Sequence, residues 1–225
     1  MPVLRNVPEP ELLDRPYPVM SNIPFNPLDK LSLARAVAKA LLERPCHPLP
    51  PAESFAGAGI YAVYYTGRFP PYEKIAALNR EGKFLAPIYV GKATPQGGRR
   101  GGFELGGAAG TVLYNRLREH AESIEQAENL DLADFYFRCL VVDDIWIPLG
   151  EQLLIQSFSP VWNRVIDGFG NHDPGAGRQR QQRSPWDVLH PGRAWARRLQ
   201  PNRKSAPAVL GEIEGFMRTW EPTHF

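Results

Sequence analysis

The spacing of apolar positions changes several times along the 225-residue chain. In PLDKLSLARAVAKALLERP, Leu31, Leu33, Val37, Ala38, Leu41 and Leu42 gather on one side at helical spacing, and Pro45 closes the run. CHPLPPAESFAGAG reads as a loop. GIYAVYYT is continuously apolar or aromatic, which predicts a strand over Gly59–Thr66. PPYEKIAALNREGK predicts a short helix, opened by proline and closed by Gly82. Ile88–Lys92 is a second strand. TVLYNRLREHAESIEQAENL is a strong amphipathic helix, with Thr111 as its cap and Leu113, Leu117 and Ile124 on one face. DFYFRCLVVDD is a third strand. IPLGEQLLIQSF is a helix with apolar Leu149, Leu153 and Leu154, SPVWNRVI opens on a turn, and APAVLGEIEGFMRTW returns to helical spacing near the C-terminus.

This order predicts an α/β (α+β) fold, with a small central mixed three-stranded sheet flanked by helices. The core is expected over residues 55–167. An N-terminal arm and helix (1–54) precede it, and a basic Gly/Arg-rich segment with a C-terminal helix (168–225) follows, all within one compact structural domain. No internal repeat is present. Two segments break the periodicity. Residues 94–110 are dense in glycine and predict a mobile loop that a ligand would order. DGFGNHDPGAGRQRQQRSP is either a DNA-clasping loop or disorder.

A hydrophobic content of 43% supports a real core, and no apolar run is long enough to span a membrane. The N-terminal MPVLRNVPEPELLDRP carries acids and prolines without an apolar h-region, so a signal peptide is not expected. Two distant cysteines, Cys46 and Cys139, fit reduced thiols in a cytoplasmic protein. The net charge of +2 decides little, but its distribution is uneven. From Arg164 to Lys204 nine Lys/Arg face three acids, and the loop around Lys92, Arg99 and Arg100 has none before Glu104. A polyanion-facing side is expected.

The strands GIYAVYYT and IYVGK each carry a central tyrosine, Tyr61 and Tyr89. A phenol is costly to bury without a partner, so each is either a satisfied core group or part of a site. Arg116 and His120 are four apart and share a helix face. Arg118, two residues on from Arg116, points elsewhere. Glu151 opens the later helix and Asn163 follows it. A phosphate-cradling nucleotide loop at GKATPQGG is excluded, because position 86 is alanine and no Ser/Thr follows Lys92. Zinc is disfavoured by the lack of paired cysteines.

GIY, then YVG about thirty residues later, then a helix with Arg and His, then Glu, then Asn: this order resembles the GIY-YIG nuclease superfamily over residues 57–165. The one departure is YVG in place of YIG, a conservative change. NRLREH and GEQLLIQSFSPVWN resemble the type II restriction endonuclease branch. That resemblance implies a site-specific double-stranded DNA endonuclease, acting as a homodimer on a GC-only six-base-pair palindrome. It also implies a single-metal role for Glu151, with Mg2+ or Mn2+, and a water-activating or water-positioning role for Tyr61.

Phosphodiester hydrolysis suits these residue types. A carboxylate with waters and phosphate oxygens can hold Mg2+. Arg116 offers a fork that matches two phosphate oxygens. Tyr61 needs help to act near neutral pH, because a free phenol titrates near 10; nearby cations are expected to favour its phenolate. His120 is the candidate acceptor of a proton from Tyr61 or directly from water. Tyr89 is expected to hold phosphate or water, and Asn163 to orient the phosphate side or Glu151. Lys92 is a candidate phosphate ligand or perturber of the tyrosines. All five side chains that do the chemistry must converge, with the Glu151 carboxyl on the same side of the sheet as both ring hydroxyls. Candidate DNA contacts are Lys92, Arg99, Arg100, Arg178, Arg180 and Arg183. Two rival readings remain. A non-catalytic nucleic-acid-binding module would share the basic loops without needing His120 or Glu151. A repair or homing-type nickase would ordinarily carry larger specificity domains than the extensions here.

Overall fold

Strand β2 (Gly59–Tyr65) is buried along all of its seven residues, and the sheet is built around it. In the computed structural model, which describes residues 29–95, 110–175, 177 and 180–222, the strand order is β1–β4–β2–β3. Here β1 is His47–Pro48, β3 is Pro87–Ala93 and β4 is Phe135–Val141. Every pairing is antiparallel. The sheet therefore has four strands, each antiparallel to its neighbours, where the sequence predicts a mixed three-stranded sheet. Strand β1 is two residues inside a proline-rich loop, too short to show a period-two pattern. Helix α2 (Glu73–Asn79) lies in the connection between β2 and β3.

The two faces of β2 alternate, as a strand with both faces covered must. Ile60, Ala62 and Tyr64 join a core with Ala34, Ala38 and Leu41 of α1 (Lys30–Leu42) and Leu153, Leu154 and Phe158 of α4 (Ile147–Phe158). Tyr61, Val63 and Tyr65 join the other core. That second core includes Leu113, Leu117 and Ile124 of α3 (Val112–Glu125) and Trp162 of α5 (Val161–Arg164). It extends to Trp186 of α6 (Pro185–Leu189) and Ile213 of α7 (Ala206–Thr219). Three details depart from the sequence reading. Leu31 is exposed, and Ala34, Ala38 and Leu41 carry the buried stripe of α1. Thr111 stands at the N-cap of α3 without capping it; its hydroxyl accepts from Asn115 Nδ2 at 3.1 Å. The described part of the 168–205 segment is folded, with Trp186 and Arg193 almost wholly buried. The arm before residue 29, most of the glycine-rich loop, and Arg99, Arg100 and Arg178 lie outside the described residues.

A polar chain, buried from His190 inward, ties that segment to the core. Asn129 Nδ2 donates to Leu189 O at 2.9 Å, leaving its Oδ1 to accept from His190 Nδ1 at 2.8 Å. His190 Nε2 then accepts the Tyr72 hydroxyl at 2.6 Å, and Tyr72 accepts Trp162 Nε1 at 2.9 Å. Each donor meets one acceptor, which fixes the His190 tautomer. Burial, helped by the Arg193 charge, pushes the His190 imidazole down to about 3. An unfolded chain binds a proton at histidine near 6.5, so stability from this group is complete above that pH and is lost as pH falls toward 3. The melting temperature is expected to fall between pH 6.5 and 4.5, with this residue contributing up to about 1.4 kcal/mol per pH unit. Calorimetry of His190→Gln should give a lower melting temperature at neutral pH and a shallower acid slope than the unmodified chain.

Candidate active site

Edge strand β3 and its neighbour β2 set the site. Their register puts Tyr61 opposite Gly91 and Val63 opposite Tyr89, on the face covered by α3. Gly91 is required by close approach: an added Cβ would stand 2.6 Å from Tyr61 Cζ and 2.9 Å from Tyr89 Cε1. Without a side chain at 91, the Tyr61 ring lies over the strand and its hydroxyl reaches α3. There it meets His120 Nε2 at 2.5 Å, with both residues buried.

Arg116, one helical turn before His120, points toward the same space. Its Nη1 pairs with Glu119 at 3.1 Å and also contacts His172 Nε2, while Nη2 donates to Gly170 O at 2.7 Å. The Tyr89 ring meets His120 edge-on with centroids 5.3 Å apart. Phe169 stacks on the other side of His120 at 4.4 Å and 16°. Gly170 is also a close-approach position: a Cβ there would lie 2.8 Å from Arg116 Nη2 and 3.0 Å from Tyr89 Oη. The open space beside Arg116 and His120, about 160 Å³, is lined in part by Gly170, His172 and Ser123.

Burial sets the protonation states. It pushes the Tyr61 phenol well above its ordinary value, with Tyr89 adding to the rise and Arg116 opposing it. Burial holds the His120 imidazole well below its ordinary value, and the nearby charge of Arg116 pushes the same way. The expectation that cations would make Tyr61 acidic is therefore corrected, because desolvation outweighs them. Tyr61 and His120 form a neutral pair. With the imidazole proton on Nδ1, the phenol donates to Nε2. Tyr89 is also pushed up by burial; Arg116 lowers it and Glu151 raises it.

Glu151 arrives differently from the expectation. Helix α4 packs on the opposite layer, against β3, and Lys92 points to that side. Because β3 is the sheet edge, the carboxylate still acts on Tyr89 around that edge. Lys92 Nζ stands 2.5 Å from Glu151 Oε2, and the Glu151 side chain is only 15% exposed. Lys92 is therefore the ion-pair partner of this carboxylate. Asn163 does not bond Glu151. Its Oδ1 accepts Val90 N and its Nδ2 donates to Val90 O, both at 2.8 Å. It covers the open edge of β3 as a neighbouring strand would. Arg118 turns outward to Glu122 at 3.5 Å. Arg180 is exposed. Arg183 donates to Ala196 O at 3.1 Å and Arg197 O at 3.2 Å, so its fork is directed at its own chain.

The sequence reading misses Phe169, Gly170, His172 and Glu119 around the site. The first three fall in an aperiodic glycine-rich stretch; an aromatic between two glycines in GFGN is the only local signal.

A family model described as the Eco29kI GIY-YIG domain matches residues 53–217. No curated protein matches the chain. The matched range includes the sheet from β2 onward and every candidate from Tyr61 to Asn163. It also includes most of the C-terminal segment that carries Phe169 and Trp186. Gly91→Ala is expected to leave far-UV circular dichroism unchanged while displacing both rings, with a loss of nuclease activity of about 100-fold, the scale of an ångström-sized misplacement.

Proposed function

The chain belongs to the Eco29kI GIY-YIG family of restriction-type endonucleases, and on that premise we propose a site-specific, Mg2+-dependent enzyme that cuts a GC-rich palindrome as a homodimer. DNA endonuclease activity comes with family membership. One observation carries the finer reading: a neutral Tyr61–His120 pair, the Arg116 guanidinium, Tyr89 and the Glu151 carboxylate gather around one sheet edge. A non-catalytic binding module has no use for such a set.

In the proposed reaction a scissile phosphate docks against Arg116, whose planar fork suits two phosphate oxygens. Arg116 is one cause of the low basicity of His120. A phosphate anion at Arg116 offsets that charge, so His120 becomes a better base when substrate is bound. Water attacks phosphorus and gives its proton to the Tyr61 oxygen, as the Tyr61 proton moves to His120 Nε2. The P–O3′ bond breaks, its electron pair leaves with the 3′ oxygen, and that oxygen takes up a proton from solvent. Arg116 stabilises the extra charge on the pentacovalent phosphorus. Tyr89, within electrostatic reach of Arg116 and Glu151, orients the phosphate. Asn163 fixes the strand that carries Tyr89.

Glu151 offers one hard carboxylate to a single divalent cation, which would have to displace the Lys92 ammonium that Oε2 holds at 2.5 Å. Among the described residues no group of three or more His, Cys, Asp or Glu could hold a metal, so water and phosphate oxygens would fill the other positions. Bound Mg2+, or Mn2+ in its place, supplies Lewis acidity to the phosphate and the leaving oxygen. Two-fold DNA suits a two-fold protein with one site per strand, and bidentate arginine is the commonest reader of guanine. Exposed Arg180 is a candidate for that role, with Arg99, Arg100 and Arg178 from outside the described residues. Free Cys46 and Cys139 fit a reducing compartment, the cytoplasm, where a restriction-modification enzyme works. No helix among the described residues is long and apolar enough to cross a membrane.

Digestion of a sequenced plasmid with Mg2+ should give discrete fragments whose ends map to one palindromic sequence. Arg116→Ala is expected to lose at least about 100-fold in cutting while specific binding is kept. Glu151→Gln should lose metal-supported cutting. Cutting retained in Glu151→Gln counts against the metal role, and binding lost in step with cutting would make Arg116 a DNA anchor.

A further inference from the structure

Arg193 lies far from the motif residues in sequence, and its side chain is 1% exposed. Its donors are largely committed. Nε donates to Asp187 Oδ1 at 2.7 Å, Nη1 to Phe169 O at 3.0 Å and Asn171 O at 3.3 Å, and Nη2 to Gly168 O at 2.9 Å. The guanidinium also lies close to the rings of Trp186 and Trp195, 4.5 and 4.6 Å from their centroids. Asp187 is held in turn by the Ser184 hydroxyl at 2.7 Å. A charged group this deep must be paired and hydrogen-bonded, and here both conditions are met.

The three carbonyls it collects belong to residues 168, 169 and 171. The one skipped is Gly170 O, which instead accepts Arg116 Nη2 at 2.7 Å. The same short segment places the Phe169 ring flat on His120. A four-residue stretch of backbone is therefore pinned between two arginines, one buried in the C-terminal segment and one at the candidate site. A loop rich in glycine has much conformational freedom to lose, and this cage removes it.

We propose that Arg193 is a positioning residue of the active site. It orders Gly168–Asn171 so that Gly170 O aims Arg116 and Phe169 orients the His120 ring. The C-terminal segment thereby forms the back wall of the catalytic centre. The inference rests on Arg116 and His120 acting in cleavage. It predicts that rate depends on this cage while DNA affinity does not, since Arg193 is buried and cannot touch phosphate.

Arg193→Lys keeps the charge opposite Asp187 but cannot reach three carbonyls with one ammonium. Phe169→Leu leaves the cage and removes the stack on His120. Both are to be compared with the unmodified chain by single-turnover cleavage of a plasmid carrying the mapped site, and by DNA binding without divalent metal. Expected is a 10–100-fold fall in the single-turnover rate constant at full amplitude, the scale typical of residues that orient a site's own ligands, with affinity within about threefold. A rate constant equal to that of the unmodified chain, with only the amplitude reduced, would mean partial unfolding and overturn the proposal. So would rate and affinity falling together. If Arg193→Lys does not fold, an undiminished rate in folded Phe169→Leu overturns it. Absence of cutting by the unmodified chain would instead defeat the endonuclease reading beneath it.

Discussion

The site depends on the Tyr61 ring lying across Gly91. Antiparallel pairing of β2 with β3 brings the two positions opposite one another, and any larger residue at 91 would occupy the volume of the phenol. Once the ring is there, its hydroxyl reaches His120 on α3, with Arg116 and Tyr89 beside it. The strand edge must then be kept from fraying. Asn163 does this by satisfying both polar groups of Val90, while Glu151 and Lys92 close the same edge from the α4 layer. Motif residues that look scattered in sequence are joined by one strand and its two neighbours.

Competition between burial and charge sets the chemistry. Desolvation keeps the phenol neutral against the pull of Arg116, while desolvation and Arg116 together keep the imidazole neutral, so the resting pair is not a phenolate and an imidazolium. Such a pair is poised: a proton relay across a 2.5 Å contact needs only a change in the local field, and a phosphate anion is such a change. The same low dielectric makes the arginine valuable to an accumulating negative charge. In the proposed reaction this arrangement keeps the base weak until DNA is in place.

Much of this was legible in the sequence because it is carried by local pattern. The helices α3, α4 and α7 follow their apolar spacing, and GIY and YVG mark the two strands by composition. Arg116 was separable from Arg118 by helical spacing alone, and Arg118 does face solvent. What escaped is non-local. Strand β1 is too short to have a period. The edge-strand geometry lets Glu151 act on Tyr89 from the opposite layer, which no spacing rule conveys. The role of Asn163 depends on which strand lies at the edge. The 168–173 stretch has no periodicity, and it takes its shape from Arg193, Trp186 and Trp195 further along the chain. Arg183 was expected to read DNA because it sits in a basic run, yet it holds two carbonyls of its own chain.

The central claim is that Tyr61 and His120 act as one proton-transfer unit. A double-mutant cycle on the single-turnover cleavage rate, with Tyr61→Phe, His120→Ala and the combined variant, tests it most directly. The account predicts that each single change costs at least about 100-fold and that the pair costs little more than either alone. Losses that simply multiply would show two independent groups and contradict it.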